Sequence, residues 1–198
     1  MNNESLPVKL ILASSSKYRQ LLLRRLGIPF EAIAPETDET ARANESPADL
    51  VARLAFAKAD AICQRYPACV VIGSDQVAVF DGKVLGKPGA HAAAVQQLES
   101  FSGQSVEFLT SVAARRHESG FTEQYTDRTT VHFRSLSSGE IERYLVTEKP
   151  YDCAGAFKAE SLGVTLFESI ENNDPTALIG LPLIHVAAML RHAGIRLP

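Results

Sequence analysis

The pattern of apolar and polar residues predicts strands alternating with helices in the first third of the chain. Residues 8–13 form a short apolar run, interrupted only by Lys9, that is typical of a buried strand, and residues 17–26 have helical spacing. Residues 30–34 predict a second strand. A second helix is expected over residues 47–66, with Ser46 as its N-cap and a proline in its first turn. The chain therefore opens as strand, serine-rich turn, helix, strand and helix.

Later segments predict mainly antiparallel pairing. Residues 69–73 are expected to form a buried strand, and residues 77–85 a hairpin that turns at Asp81-Gly82. Alternation around residues 106–112 and 129–133 predicts two long antiparallel strands. Three further helices are predicted: one over residues 90–101, a short one that begins at the capping-box signature Ser137–Glu140, and one over residues 182–193. A last strand is predicted over residues 164–170. Together these elements favour an α/β fold with a mixed sheet flanked by helices.

Composition narrows the class of protein. The 198 residues are 45% hydrophobic and 22% charged, which excludes disordered, collagen-like and disulfide-scaffold proteins. Twenty basic residues against 23 acidic ones give a net charge of −3, so we expect neither a nucleic-acid partner nor a membrane-surface role. Any anion that binds here must be held by a few placed cations.

The cysteines and the apolar runs bear on location. Cys63, Cys69 and Cys153 are an odd number without CxxC spacing, which argues against a zinc site and a disulfide framework and predicts buried, inert thiols in a reducing compartment. Residues 1–7 lack the order of a signal peptide, and no apolar run approaches the roughly 20 residues of a membrane span. A cytoplasmic protein is expected.

Two charged residues occupy positions that a packed core would not favour. Lys58 lies on the apolar stripe of its predicted helix, seven residues after Val51 and four before Ile62. It either pairs with an anion or extends its amine to solvent. Asp75 follows the apolar run 70–72, where α/β sheets often carry ligand-binding groups but where acids also cap turns.

Other cations predict phosphate binding. The turn Ser14-Ser15-Ser16 precedes the first helix, and its hydroxyls, the backbone N–H groups of the helix start and Arg19 could together hold a phosphate. Lys87 is presented by the short loop Gly86-Lys87-Pro88. Neither GxxxxGK[ST] nor GxGxxG occurs, so P-loop and Rossmann folds are unsupported.

Acidic residues could hold a hard divalent cation. Glu36, Asp38 and Glu39 lie in one predicted loop and could join Asp75 as oxygen ligands, although clustered carboxylates are also common on solvated surfaces. Their occurrence with three cationic segments matches what metal-assisted attack on a polyphosphate requires, namely positioning and charge neutralisation.

The same positions carry a resemblance to a known family. The chain resembles the Maf-type nucleoside triphosphate pyrophosphatases at residues 12–19, 35–39, 53–59, 73–76, 86–88, 154–157 and 164–182. The resemblance implies one domain over residues 8–194, an elongated α/β protein with two lobes around a central cleft, related in fold to the inosine triphosphate pyrophosphatases. It also implies hydrolysis of a nucleoside triphosphate to the monophosphate and pyrophosphate with a divalent metal, Mg²⁺ or Mn²⁺.

The resemblance assigns roles by position. Asp75 matches the catalytic acidic residue of the family, expected to be the general base or the metal-linked activator of the attacking water. The phosphate-contacting positions are Ser14, Arg19, Lys58 and Lys87. The acidic positions, expected to hold metal, are Glu36 and Glu39 together with Asp75. Lys17-Tyr18 departs from the proline and arginine that many members have, which bears on the identity of the substrate and not on the reaction.

Three positions resemble the 7-methyl-GTP branch of the family: Tyr18, Gln76 and Glu160. Methylation at N7 leaves the guanine ring cationic, and a cationic base stacks well on an aromatic face and pairs well with a carboxylate. Pyrimidine-specific members carry an arginine at the Tyr18 position and a glutamine near residue 160. Alternatively, Tyr18 belongs to the core and Glu160 is a surface acid beside Lys158.

Two other functions remain open on the sequence. One is a dTTP or UTP pyrophosphatase of the same family, and the other is a non-enzymatic nucleotide-binding regulator of cell division. The residues do not decide the oligomeric state, and a homodimer is compatible with them.

Overall fold

The computed structural model describes residues 8–197, and within this range seven strands form one mixed sheet. The strands are β1 (Leu10–Ala13), β2 (Glu31–Ala32), β3 (Val70–Phe80), β4 (Lys83–Leu85), β5 (Ser105–Arg116), β6 (Phe121–Phe133) and β7 (Phe167–Glu171). Their order is β2-β1-β3-β5-β6-β7, with β4 also paired to β3. The β2-β1-β3 pairs are parallel and the others antiparallel, which confirms the predicted mixed sheet. The prediction that residues 1–7 are not a signal peptide concerns residues outside the described range.

Five α-helices flank the sheet in the described residues: α1 (Lys17–Arg24), α2 (Pro47–Cys63), α3 (His91–Phe101), α4 (Ser138–Glu148) and α5 (Leu183–His192). The predicted caps are present. Ser46 accepts a hydrogen bond from the Asp49 N–H at the start of α2, and Ser137 and Glu140 form the capping box of α4. These bonds satisfy amide donors that the first helical turn leaves without partners. Between residues 8 and 197, no helix is long and apolar enough to cross a bilayer.

The helices form two groups on different parts of the sheet. Side chains of α1 and α5 pack with β1, β3 and β5 on one face, and side chains of α2 pack on the opposite face of the same strands. A separate core joins α3 and α4 to β5 and β6, and it includes Phe101, Phe108, Phe133 and Leu145. Each strand therefore supplies alternate residues to different cores.

Some predicted element boundaries were wrong. The apolar pattern predicted a break at Gly73 and a new strand at Val77, but β3 runs without interruption because its backbone pairs with β5 from Val71 to Val79. The strand predicted over 164–170 is a 3₁₀ turn up to Leu166 followed by β7.

Candidate functional site

A gap along one edge of β3 creates the main cleft of the molecule. β1 pairs with Val70–Gly73 and β4 with Ala78–Phe80, both on the edge opposite β5, so residues 74–77 pair with neither strand. A cleft of about 730 Å³ opens beside this gap, next to a smaller cavity of about 120 Å³. The residues that line both are Ser16, Tyr18, Arg19, Gln76, Lys87, Asp152 and Ala154.

Strand alternation sends neighbouring residues of β3 to opposite faces. Asp75 faces α2, as do Val71 and Val77, whereas Ser74 and Gln76 face the side of α1 and α5. The sequence had predicted Asp75 at the end of a strand. In the structure it lies within β3. It lies two residues beyond the last β1 pair at Gly73, so it still borders the carboxyl end of β1.

Lys58 and Asp75 form a buried ion pair in the larger cleft. Lys58 Nζ lies 2.6 Å from Asp75 Oδ1 and 2.6 Å from Glu39 Oε1, and only 6% of Lys58 and 7% of Asp75 are exposed. The lysine predicted on an apolar stripe thus has anionic partners and does not extend to solvent. Its hydrogen bond is the main cause that holds the pKa of Glu39 below its usual range.

Gly73 allows α2 to approach β3 closely enough for this pair to form. A Cβ built on Gly73 would lie 2.3 Å from the Ala55 carbonyl oxygen and 2.5 Å from the Ala59 nitrogen, well inside contact distance. The helix backbone therefore packs directly on the strand. Lys58 lies between these two helix positions and Asp75 two residues beyond Gly73, so the close packing brings their side chains together.

The start of α1 supplies the other predicted phosphate contacts. Ser14 Oγ accepts a hydrogen bond from the Ser16 N–H at 3.1 Å, and Ser16 caps α1. Arg19 donates from Nε to the Gly180 carbonyl at 2.9 Å, and Ser74 Oγ donates to the same oxygen at 2.9 Å. The guanidinium is thus held at the cleft by the loop before α5.

The smaller cavity contains all three residues predicted to set specificity. Tyr18, Gln76 and Glu160 line it together with Phe108 and Phe157. Gln76 Nε2 donates to Thr110 Oγ1 at 2.8 Å and to the Leu178 carbonyl at 3.0 Å, so it also fixes the cavity wall.

Tyr18 and Glu160 both border the smaller cavity. Tyr18 borders both cavities and is absent from the buried core. Burial raises the pKa of its phenol, which therefore stays neutral. Lys158 pairs with Glu148 at 3.2 Å, and Glu160 is an exposed acid at the cavity.

The sequence interpretation missed Asp152 and the position of Cys153. Both line the smaller cavity, and Asp152 accepts a hydrogen bond from Tyr18 Oη at 3.4 Å. Of the three cysteines predicted to be buried, only Cys63 is, whereas Cys69 and Cys153 are half-buried. Partial burial raises the pKa of Cys153 to about 11, which is consistent with an inert thiol. Asp152 and Cys153 lie in an irregular loop between α4 and a short 3₁₀ turn, so periodicity gave no signal for them.

The acidic positions are only partly brought together. Glu39 and Asp75 share Lys58, whereas Glu36 is exposed and is not among the residues lining the two cavities. In the described range, no group of three or more His, Cys, Asp or Glu residues is arranged to hold a metal. Magnesium is usually bound by one or two carboxylates plus substrate phosphates. Glu39 and Asp75 therefore fit an ion that arrives with a polyphosphate.

Lys87 completes the set of predicted cations. Its side chain is exposed, and it lines both the larger cleft and the smaller cavity. Lys58, Arg19 and Lys87 thus surround one cleft, although the chain as a whole is slightly acidic.

Comparison with known proteins identifies the family of the chain. The family model described as "Maf-like protein" matches residues 9–193. A protein of Albidiferax ferrireducens named 7-methyl-GTP pyrophosphatase is 54% identical over 98% of both chains, and one of that name from Pseudomonas aeruginosa is 52% identical over 96% of this chain and 98% of its own. The Ham1 protein structure from Staphylococcus aureus aligns over 63% of this chain and 71% of that chain, at 12% identity and a TM-score of 0.46. The chain belongs to the Maf-like protein family.

Proposed function

We propose that this protein hydrolyses 7-methyl-GTP to 7-methyl-GMP and pyrophosphate and so removes a modified nucleotide from the pool. The observation that carries the proposal is the open edge of β3, with the buried Asp75–Lys58 pair on one face and the Tyr18–Glu160 cavity on the other. The base occupies the smaller cavity, and the triphosphate crosses the open edge to reach Asp75. The names of the relatives support the same substrate.

Asp75 is the proposed general base of the reaction. Its Oδ1 is held by Lys58, and among the described residues only Lys58 donates to this carboxylate. Asp75 accepts a proton from a water molecule as the water oxygen attacks a phosphorus of the α–β anhydride. The bridging P–O bond of the anhydride then breaks, which releases 7-methyl-GMP and pyrophosphate, and Lys58, Arg19 and Lys87 stabilise the negative charge that develops on the phosphates.

Ser14 and the amino end of α1 position the phosphates in this proposal. The backbone N–H groups of the first helical turn point toward the cleft end of β1, where an anion offsets the cost of placing Lys17 and Arg19 at a helix N-terminus. These contacts form before the reaction and keep the anhydride near Asp75.

A divalent cation, Mg²⁺ or Mn²⁺, is the proposed cofactor. Glu39 and Asp75 would hold it, and it would neutralise charge on the phosphates. Glu36 was predicted as a further ligand, and its exposed position outside the cavities favours at most an indirect role.

The base contacts explain the proposed preference. A 7-methylguanine ring is cationic, so it gains from stacking on Tyr18 and from the negative charge of Glu160. Glu160 could also accept hydrogen bonds from the N1–H and N2–H groups of guanine, which uracil and thymine do not offer. We further propose one domain over residues 8–194, a cytoplasmic location consistent with three free cysteines, and no nucleic-acid partner.

Replacement of Asp75 tests the proposed chemistry. Asp75→Asn is expected to reduce pyrophosphate release from 7-methyl-GTP by about 100-fold or more, the scale of general-base catalysis. The variant should unfold near the wild-type temperature, because Lys58 keeps Glu39 as a partner. Asp81→Asn, an exposed turn residue, is the matched control.

Two results would count against the proposal. Retention of most activity by Asp75→Asn would remove Asp75 from the chemistry. Nucleotide binding without any turnover by the wild-type protein in Mg²⁺ would instead favour a non-enzymatic regulator.

A further inference from the structure

Asp152, Lys17 and Tyr18 form a closed set of contacts at the entrance to the smaller cavity. Tyr18 Oη donates to the Asp152 carboxylate, with both oxygens at 3.4 Å, and Lys17 Nζ lies 3.5 Å from Asp152 Oδ2. Lys17 Nζ also lies 5.0 Å from the centroid of the Tyr18 ring. A cation thus sits over an aromatic face and against a carboxylate.

This set of contacts is chemically the one that a cationic base would make. A 7-methylguanine ring brings a delocalised positive charge, which favours the face of an aromatic ring and a nearby carboxylate. Asp152 and Tyr18 line both cavities, whereas Lys17 lines only the larger one. Lys17 therefore belongs to the larger cleft, where we place the phosphates, whereas Asp152 also borders the smaller cavity, where we place the base.

Lys17 is free to leave this position at low cost. Its side chain is 68% exposed and that of Asp152 is 54% exposed, so their ion pair is worth little in water. Tyr18, in contrast, is held by its bond to Asp152 and by the Cys153 thiol, which donates to Tyr18 Oη at 3.6 Å. The aromatic ring and the carboxylate are the fixed parts, and the ammonium is the replaceable one.

We propose that Asp152 is a base-specificity residue, and that Lys17 is an internal cation which the 7-methylguanine ring displaces from Asp152 and Tyr18. The inference rests on the proposed function and names the groups that interact with the positive charge of the base. A neutral guanine ring cannot replace the ammonium, because Asp152 would lose its cation. A methylated ring supplies that charge itself, so only the methylated substrate can take over both contacts.

The test compares two substrates that differ only in the N7 methyl group and its charge. The ratio of kcat/KM for 7-methyl-GTP to kcat/KM for GTP is measured for the wild type, Asp152→Asn and Lys17→Met. Any effect of either change on the shared triphosphate cancels in this ratio. We expect Asp152→Asn to lower the ratio and Lys17→Met to raise it, each by about threefold, the scale of an exposed cation–π contact.

Charge-matched controls come from residues outside the cavities. Asp81→Asn lies in the β3–β4 turn, and Lys9→Met lies at the amino end of β1, away from the cleft. Both should keep the wild-type ratio. A role of Asp152 and Lys17 only in supporting Tyr18 would move the ratio in one direction for both variants, because each removes a contact to the ring.

Opposite shifts by the two variants would support the inference, and any other pattern would overturn it. A failure of the proposed function looks different. In that case the wild-type protein itself would not prefer 7-methyl-GTP over GTP.

Discussion

At the residue scale, the sequence predicted single charged positions better than their partners. Helical spacing alone placed Lys58 on a buried stripe, and burial of an amine requires an anion. The partner could not be derived, because Asp75 meets Lys58 only through the packing of α2 on β3. Asp152 had no signal in the sequence, because its contact with Tyr18 joins two positions that are 134 residues apart along the chain.

Two glutamates of one loop give a matched test of the metal site. Glu39→Gln is expected to raise the Mg²⁺ concentration for half-maximal activity about tenfold or more, the scale on which metal sites respond to loss of a supporting carboxylate. The reason is that Glu39 reaches Lys58 beside Asp75, whereas Glu36 is exposed and lines neither cavity. Glu36→Gln should therefore leave the Mg²⁺ dependence close to that of the wild type. Titration of activity with Mg²⁺ after chelation measures both variants, and equal shifts would show that the geometry misassigns the two acids.

At the element scale, polar residues inside β3 concealed a continuous strand. Ser74, Asp75 and Gln76 interrupt the apolar run, and an interruption of this kind is usually a loop. Here the pairing with β5 continues through them, because the ladder is formed by backbone groups, and the side chains of Asp75 and Gln76 line the cleft. The elements with strong local signals, such as the α4 capping box and the β5–β6 hairpin, were predicted correctly. Local patterns therefore predicted the scaffold and failed where polar side chains within a strand line the cleft.

The packing of α2 on β3 is open to a direct test. Gly73→Ala is expected to lower the free energy of unfolding by about 1–3 kcal/mol, because the new methyl group meets helix backbone that cannot rotate away. Activity should fall as well, since the displaced helix carries Lys58 away from Asp75. Urea denaturation and pyrophosphate release measure the two effects.

Gly139→Ala in α4 is the control for this substitution. There a Cβ would meet only the flexible Arg143 side chain at 3.3 Å, and alanine is the better helix former. Its stability should equal or exceed that of the wild type. If Gly73→Ala were as stable as Gly139→Ala, close packing of α2 would not be what positions Lys58.

At the scale of the whole molecule, the cleft arises from topology. β1 ends at Gly73 and β4 begins its pairing at Ala78, so one edge of β3 is open between the two groups of helices. A local sequence pattern could not predict this gap, because the gap depends on how β1, β3 and β4 pair in the folded sheet. The net charge of −3 is a sum over the whole chain, so it does not show that Arg19, Lys58 and Lys87 lie together in one cleft. Composition argued against a general polyanion binder but could not locate these cations.

Product analysis on four nucleotides tests the central claim most directly. The protein is incubated with 7-methyl-GTP, GTP, UTP and dTTP in Mg²⁺, and the nucleotide, pyrophosphate and orthophosphate products are quantified. The account predicts the highest kcat/KM for 7-methyl-GTP, with 7-methyl-GMP and pyrophosphate formed in equal amounts. A preference for UTP or dTTP, or release of orthophosphate in place of pyrophosphate, would contradict it.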